Sequence, residues 1–154
     1  MNRDEQSWSA VRRRWVGALV AVCAFGVVAL LHTLIPAEGG MGTHRKLGLS
    51  PCGMVARTGY PCPGCGVTTS MTSMAHGRIA YAAHCQIFGV VAMLSLVAMG
   101  IAGVMQAIRG RNFLKIVRIG LWKWYSLAGV VVLLMGWGLK VALGVADGTY
   151  PIGR

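Results

Sequence analysis

Three long apolar segments dominate the chain, and polar or basic stretches separate them. Nearly uncharged runs cover residues 15–35, 85–108 and about 124–145. As a helix that rises about 1.5 Å per residue, each run is long enough to cross the ~30 Å hydrocarbon core of a bilayer. The pattern predicts an all-α integral membrane protein with three transmembrane helices, formed by a single membrane domain over residues 15–154 after a polar flank over residues 1–14.

The first apolar segment is interpreted as a retained anchor. Its apolar stretch exceeds the roughly 7–15 residues that are usual in a cleaved signal peptide, and Ile35-Pro36-Ala37 is a poor match to the small-x-small pattern of a cleavage site. We therefore expect the segment to remain in the membrane.

A short helix is predicted within the first connection, residues 36–84. From Val67 to His76 the apolar side chains recur at helical spacing, and Met71 and Met74 are interpreted as core residues of this helix. A helix of this length extends only about 15 Å and does not cross a bilayer. It is expected either to lie in the membrane interface or to enter the membrane as a re-entrant helix, and its small hydroxyl residues favour the second arrangement.

The charge distribution predicts an orientation. Of the 15 Lys and Arg residues, nine lie in the N-terminal flank and in the connection 109–123, beside the ends of the apolar segments. The positive-inside rule places these two parts in the cytoplasm and the 36–84 connection on the outer side. Lys140 is the one charge inside the third segment and is interpreted as reaching the interface. The net charge of +11 thus indicates membrane orientation, and nucleic-acid binding is not expected, because aromatic residues do not interleave with the basic ones.

The candidate chemistry lies in the first connection. Cys62 and Cys65 are three positions apart in a turn rich in Pro and Gly, Gly66 follows them, and Cys52 lies ten residues upstream. Two thiolates at this spacing converge on one zinc ion in zinc knuckles. The sequence therefore predicts a zinc site with Cys52, Cys62, Cys65 and His76 as ligands. The alternatives for the fourth ligand are His84 and Cys85.

A second interpretation is thiol–disulfide exchange by Cys62 and Cys65. A Cys-x-x-Cys pair that precedes a helix has its first thiolate stabilised by the helix dipole, and an outward-facing site would lie in an oxidising compartment. Haem attachment is excluded, because Gly66 stands where that motif needs a histidine. A third interpretation gives the turn a purely structural role.

Around these cysteines the chain resembles a family of small bacterial membrane proteins of unknown function. The family signature is a cysteine, then Cys-Pro-x-Cys-Gly-x-Thr-Arg about ten residues later, then His-Gly and Asn-Pro before a span. The matching residues are Cys52, Cys62, Pro63, Cys65, Gly66, Thr68, His76 and Gly77. The chain departs from the signature at Thr69 and at Cys85-Gln86. The resemblance covers residues 47–108 and implies a three-span protein of the bacterial inner membrane, without an established activity.

Together these observations favour a non-enzymatic function. The chain is predicted to be a structural or accessory membrane protein whose outer loop is organised by Cys52, Cys62 and Cys65, with zinc as the candidate cofactor. The expected partners are the lipid bilayer and other membrane protein subunits. A membrane thiol–disulfide redox protein is the alternative.

Overall fold

The structure, a computed structural model, describes residues 3–110 and 122–152. These residues form six α-helices and one short 3₁₀ helix over Thr43–Leu47, and they contain no β-strand. The helices are α1 (Arg3–Thr33), α2 (Gly53–Thr58), α3 (Val67–Ala75), α4 (Ile79–Cys85), α5 (Ile87–Arg109) and α6 (Trp122–Ala146). The predicted all-α class is confirmed.

Three of these helices are long and apolar enough to cross a membrane, which confirms the three predicted spans. The stretches that meet this condition are Trp8–Thr33, Ile87–Arg109 and Lys123–Ala146. The second and third agree with the predicted bounds to within two residues. α1 begins well before the predicted span because a helix continues through charged residues such as Arg12, Arg13 and Arg14 when neither proline nor glycine interrupts it.

The division into a flank over residues 1–14 and a membrane domain over residues 15–154 stays a prediction. Most of the basic connection, residues 111–121, lies outside the described residues.

The described residues fall into two compact units, and the first contains α1 up to Leu30 and α5 from Leu94. Within it the two helices approach closely at Gly17 and Gly103. A Cβ atom added to Gly17 would lie 2.7 Å from the Gly103 carbonyl oxygen and 2.8 Å from the Ala107 nitrogen. Small residues at these positions let the two helix backbones approach closely.

The second unit contains residues 31–93 and α6 from Trp124, and in it α3 packs against α4. The buried face of α3 consists of Thr69, Ser70, Thr72 and Ser73, each at most 1% exposed. Ser70 Oγ lies 2.8 Å from the Ala82 carbonyl oxygen and 2.9 Å from that of Gln86. Ser70 thus bonds to the backbone of the next element, whereas Ser73 Oγ donates to the Thr69 carbonyl oxygen within α3. The small size of all four side chains allows the close packing.

The buried face of α3 corrects the interpretation of its methionines. Met71 and Met74 are only half-buried, whereas the hydroxyl residues are fully buried. The apolar stripe was expected to mark the core, but α3 packs against the end of α4, where the Ser70 hydroxyl donates to buried carbonyl groups and a methionine could not.

Candidate metal centre

Three cysteine side chains of the first connection lie together. The Sγ atoms of Cys52, Cys62 and Cys65 are all within 4.8 Å of one another, and those of Cys62 and Cys65 are 3.3 Å apart. Cys65 is buried, the other two are half-buried, and all three are free thiols. The structure thus brings together three of the four predicted ligands in a group that could hold one metal ion.

The turn between Cys62 and Cys65 is closed by a backbone hydrogen bond. The Cys65 N–H donates to the Cys62 carbonyl oxygen at 2.9 Å. Gly66 follows with a φ of +97°, and a Cβ atom there would lie 2.7 Å from the Cys85 carbonyl oxygen. Only glycine tolerates both the backbone conformation and the close approach. Gly66 therefore allows the tight backbone that follows the turn.

Cys52 reaches the pair because the short helix α2 reverses the chain between them. Cys52 immediately precedes α2, and its carbonyl oxygen accepts a hydrogen bond from the Ala56 N–H at 3.0 Å. The helix ends at Gly59, which has a φ of +74°. The Gly59 carbonyl oxygen in turn accepts a hydrogen bond from the Ile152 N–H at 2.9 Å. The helix α2 and the turn at Gly59 therefore bring Cys52 close to Cys62 and Cys65, although ten residues separate Cys52 from Cys62 in the sequence.

The three thiols have unequal acidity. The backbone N–H of Val55 is the main cause that lowers the pKa of Cys52, to about 7, and the neighbouring thiols add to this effect. Burial, followed by the Cys62 thiol, raises the pKa of Cys65 to about 12. Cys52 is thus the thiol that ionises near neutral pH, whereas Cys65 becomes a thiolate readily only if a cation compensates its charge.

Three polar side chains from outside the turn hold its backbone. They donate to alternate carbonyl oxygens of the turn: Trp137 Nε1 to Pro61 at 2.7 Å, Gln86 Nε2 to Pro63 at 2.9 Å, and Lys140 Nζ to Cys65 at 3.3 Å. Each buried carbonyl group thereby finds a donor. The position of the turn is fixed by these contacts rather than by its own sequence alone.

Sequence reasoning missed two of these three residues and did not identify the backbone contacts of the third, Lys140. Lys140 Nζ donates to the carbonyl oxygens of Cys65, Cys85 and Gly40, at 3.3, 2.9 and 3.4 Å. The interpretation that Lys140 reaches the interface stays a prediction. A signal was present, because Trp137 and Lys140 are three positions apart and so share a face of their helix. Gln86 could also have been noticed, because it is a polar residue at the start of the second apolar segment.

The structure places His76 outside the group of three thiols. Its Nδ1 is 2.9 Å from the Thr72 carbonyl oxygen, and its ring stacks on that of His32 with 4.7 Å between the ring centroids. His32 Nδ1 is 3.0 Å from the Ala75 carbonyl oxygen. The assignment of His76 as a metal ligand stays a prediction.

Cys85, one alternative for the fourth ligand, is fully buried and is likewise not a member of the group. Burial raises the pKa of its thiol. His84, the other alternative, is exposed at the end of α4.

No curated protein and no solved structure matches the chain. Residues 52–100 match a family model that is described as a protein of unknown function (DUF2752). Over the segment that carries all three thiols, the predicted resemblance to a family of unknown function is confirmed.

Proposed function

We propose that this chain is a structural or accessory membrane protein in which Cys52, Cys62 and Cys65 bind one zinc ion. The observation that carries the proposal is the convergence of the three Sγ atoms within 4.8 Å. In a tetrahedral site with Zn–S bonds of about 2.3 Å, two sulfur atoms lie about 3.8 Å apart. That value falls between the 3.3 Å that separates Cys62 and Cys65 and the 4.8 Å limit of the group. Small side-chain rotations are enough to form the site.

The turn is held in place before a metal ion binds, which supports this proposal. Trp137, Gln86 and Lys140 already satisfy the carbonyl groups of the turn. The backbone of the turn then loses little conformational freedom when a metal ion binds, and a preorganised site binds its ligand more tightly. The positive charge of Lys140 beside Cys65 also offsets part of the charge that three thiolates bring to one zinc ion.

The accessory role is supported by the fourth coordination position of the zinc ion, which none of the three cysteines fills. If His76 occupied it, its ring would give up contacts with Thr72 and His32. A water molecule or a donor group from another membrane subunit is the simpler fourth ligand. A site completed by a partner would serve to join subunits, in keeping with a protein that has no catalytic role.

Elemental analysis of the full chain in detergent tests the proposal. We expect close to one zinc ion per chain, and loss of most of it in Cys62→Ser and in Cys52→Ser. Cys23→Ser is the matched control, because Cys23 is an exposed cysteine of α1 outside the group. Protein that is folded and free of zinc after purification with zinc present would overturn the proposal.

A thiol–disulfide redox protein is the second candidate, and the 3.3 Å separation of the Cys62 and Cys65 sulfurs favours it. In this reaction the two thiols lose two electrons and two protons to an external disulfide. One bond forms between the two sulfurs, and the external disulfide is reduced to two thiols. This function predicts metal-free protein in which Cys62 and Cys65 interconvert with a defined reduction potential. Zinc that blocks alkylation of both thiols would exclude it.

We further propose that the chain lies in the bacterial inner membrane with its N-terminus in the cytoplasm and the cysteine loop outside. The distribution of Lys and Arg supports this orientation. A membrane-impermeant maleimide applied to intact spheroplasts is expected to label Cys52 after chelation. Labelling only after the membrane is permeabilised would show that the cysteine loop lies in the cytoplasm, and would contradict the proposed orientation.

A further inference from the structure

A cavity of about 350 Å³ lies in the second unit, between the start of α5 and the last third of α6. Its volume is within the range of about 300–1,000 Å³ that is typical of small-molecule sites. Because α5 and α6 are candidate spans and the cavity lies at their ends, it opens at the level where a bilayer changes from hydrocarbon to head groups. None of the three clustered cysteines lines it.

The charged lining of the cavity is unusual for this chain. The chain has a net charge of +11 and only four acidic residues, yet two of them, Glu38 and Asp147, line the same cavity. Both are exposed at its rim. The lining also includes His84 and Lys140. A ligand with one positive and one negative group would match this combination.

Gln86 provides an unused hydrogen-bond acceptor in the lining. The residue is 2% exposed, and its Nε2 donates to Pro63, but among the described residues its Oε1 has no hydrogen-bond partner. Oε1 lies against Gly136, where a Cβ atom would be 2.8 Å away, and Gly136 also lines the cavity. A buried carbonyl oxygen without a donor is costly, so this position favours a ligand that carries an N–H or O–H group.

One side of the cavity is apolar. Ile87, Leu139 and Leu143 belong to the two candidate spans, line the cavity and are exposed. In a bilayer these side chains face the acyl chains of lipids. A ligand in the cavity can therefore place a polar head beside the acidic residues and an apolar tail along this wall.

We infer that the cavity binds an aminophospholipid, with the ammonium group of the lipid at Asp147, Glu38 and the Gln86 amide oxygen. The phosphate then lies on the side of Lys140 and His84, and the acyl chains follow the apolar wall. An ammonium group with N–H donors satisfies Gln86 Oε1, whereas the trimethylammonium group of phosphatidylcholine has no N–H to donate. The site should therefore distinguish two lipids that differ only in these methyl groups.

Native mass spectrometry of the full chain in detergent tests the inference. The protein is mixed with equal amounts of dioleoyl phosphatidylethanolamine and dioleoyl phosphatidylcholine. We expect one molecule of the ethanolamine lipid to be retained with about tenfold preference, because it gains a charge-assisted hydrogen bond. Equal retention of the two lipids would overturn the inference, since lipids that merely surround the helices need no N–H donor.

Two variants of the lining, with Asp4→Asn as a control, test the inference further. Asp147→Asn is expected to reduce the preference by at least about threefold, while Asp4→Asn, the same change of charge in the first turn of α1, leaves it unchanged. Gly136→Ala places a methyl group against Gln86 Oε1 and should also weaken retention. Circular dichroism confirms that each variant is folded. An unchanged preference in folded Asp147→Asn would contradict the role of the acidic rim.

A soluble competitor for the test is glycerophosphoethanolamine, which has the same head group without acyl chains. It is expected to compete at least about a hundredfold less well than the lipid, because it cannot use the apolar wall. Competition at equal concentration would show that the site takes a soluble amine and would overturn the assignment to a lipid.

Discussion

Lys140 Nζ donates a hydrogen bond to the carbonyl oxygen of Cys65 at 3.3 Å and so joins the third long helix to the last residue of the cysteine turn. The same ammonium group lies 2.9 Å from the Cys85 carbonyl oxygen and 3.4 Å from that of Gly40. One side chain thus connects three separate stretches of the second unit. A charged residue in an apolar helix is tolerated here because backbone oxygens surround it.

Replacement of Lys140 is expected to loosen the cysteine turn. Lys140→Met keeps the length of the side chain but leaves the carbonyl groups of Cys65 and Cys85 without this donor. We expect a loss of roughly 1–3 kcal/mol in the free energy of unfolding, together with weaker zinc retention. Thermal unfolding in detergent and elemental analysis measure the two effects. Lys123→Met, at an exposed position of the same helix, is the control and should change neither. Equal stability and equal zinc content in the two variants would contradict the role of Lys140.

Trp137 is expected to stabilise the fold through one hydrogen bond to the cysteine turn. In Trp137→Phe the apolar contact area is largely kept, but the buried Pro61 carbonyl oxygen loses the donor that lies 2.7 Å away. The expected cost is roughly 1–3 kcal/mol, measured by thermal or denaturant unfolding in detergent. The same change at Trp124, which is 67% exposed on the same helix, should cost much less. A larger loss at Trp124 than at Trp137 would argue against this contact.

The approach of α1 and α5 within the first unit depends on Gly17. Gly17→Ala places a methyl group less than 3 Å from backbone atoms of Gly103 and Ala107, which cannot move independently of α5. We expect this variant to be less stable by roughly 1–3 kcal/mol, as for other overpacking substitutions. Gly26→Ala is the matched control in the same helix, because no atom lies within 4 Å of its added Cβ. Unfolding midpoints of the two variants in detergent measure the difference, and similar midpoints would contradict the close contact.

Cys52 and Cys65 should differ in how the rate of alkylation depends on pH. In protein freed of metal by a chelator, the Cys52 pKa of about 7 means that the thiolate fraction rises as pH increases through 7 and then levels off. Its rate with iodoacetamide should increase about tenfold from pH 6 to pH 8 and change little above pH 8. Cys65, with a pKa raised to about 12, should stay unreactive over this range. Peptide mapping by mass spectrometry separates the two residues. A Cys52 rate that still rises steeply from pH 8 to pH 9.5 would refute the lowered pKa.

Part of the candidate site could be predicted from the sequence because it is local. The i, i+3 spacing of Cys62 and Cys65 and the glycine at position 66 determine the turn through backbone geometry. Cys52 was grouped with them as a third thiol ligand ten residues upstream, and the structure brings its side chain to the pair through the reversal at α2.

The contacts of His76 and of the α3 methionines could not be predicted in the same way. Helical spacing predicts which residues share a face of a helix, but not which element packs against that face. α3 meets carbonyl groups at the end of α4, and so its hydroxyl face is buried in place of its methionines. His76 meets the ring of His32 instead of a thiol.

The sequence by itself determined the three apolar helices, the short helix α3 and the cysteine turn, because each depends on residues close together in the chain. Hydrophobic length decides whether a helix can cross a bilayer, and glycine decides where a tight turn can form. Only the tertiary structure decided which side chains hold the turn. Trp137 and Lys140 lie more than 70 residues from the Pro61 and Cys65 carbonyl groups to which they donate, and no local sequence pattern shows which distant acceptor a donor will contact.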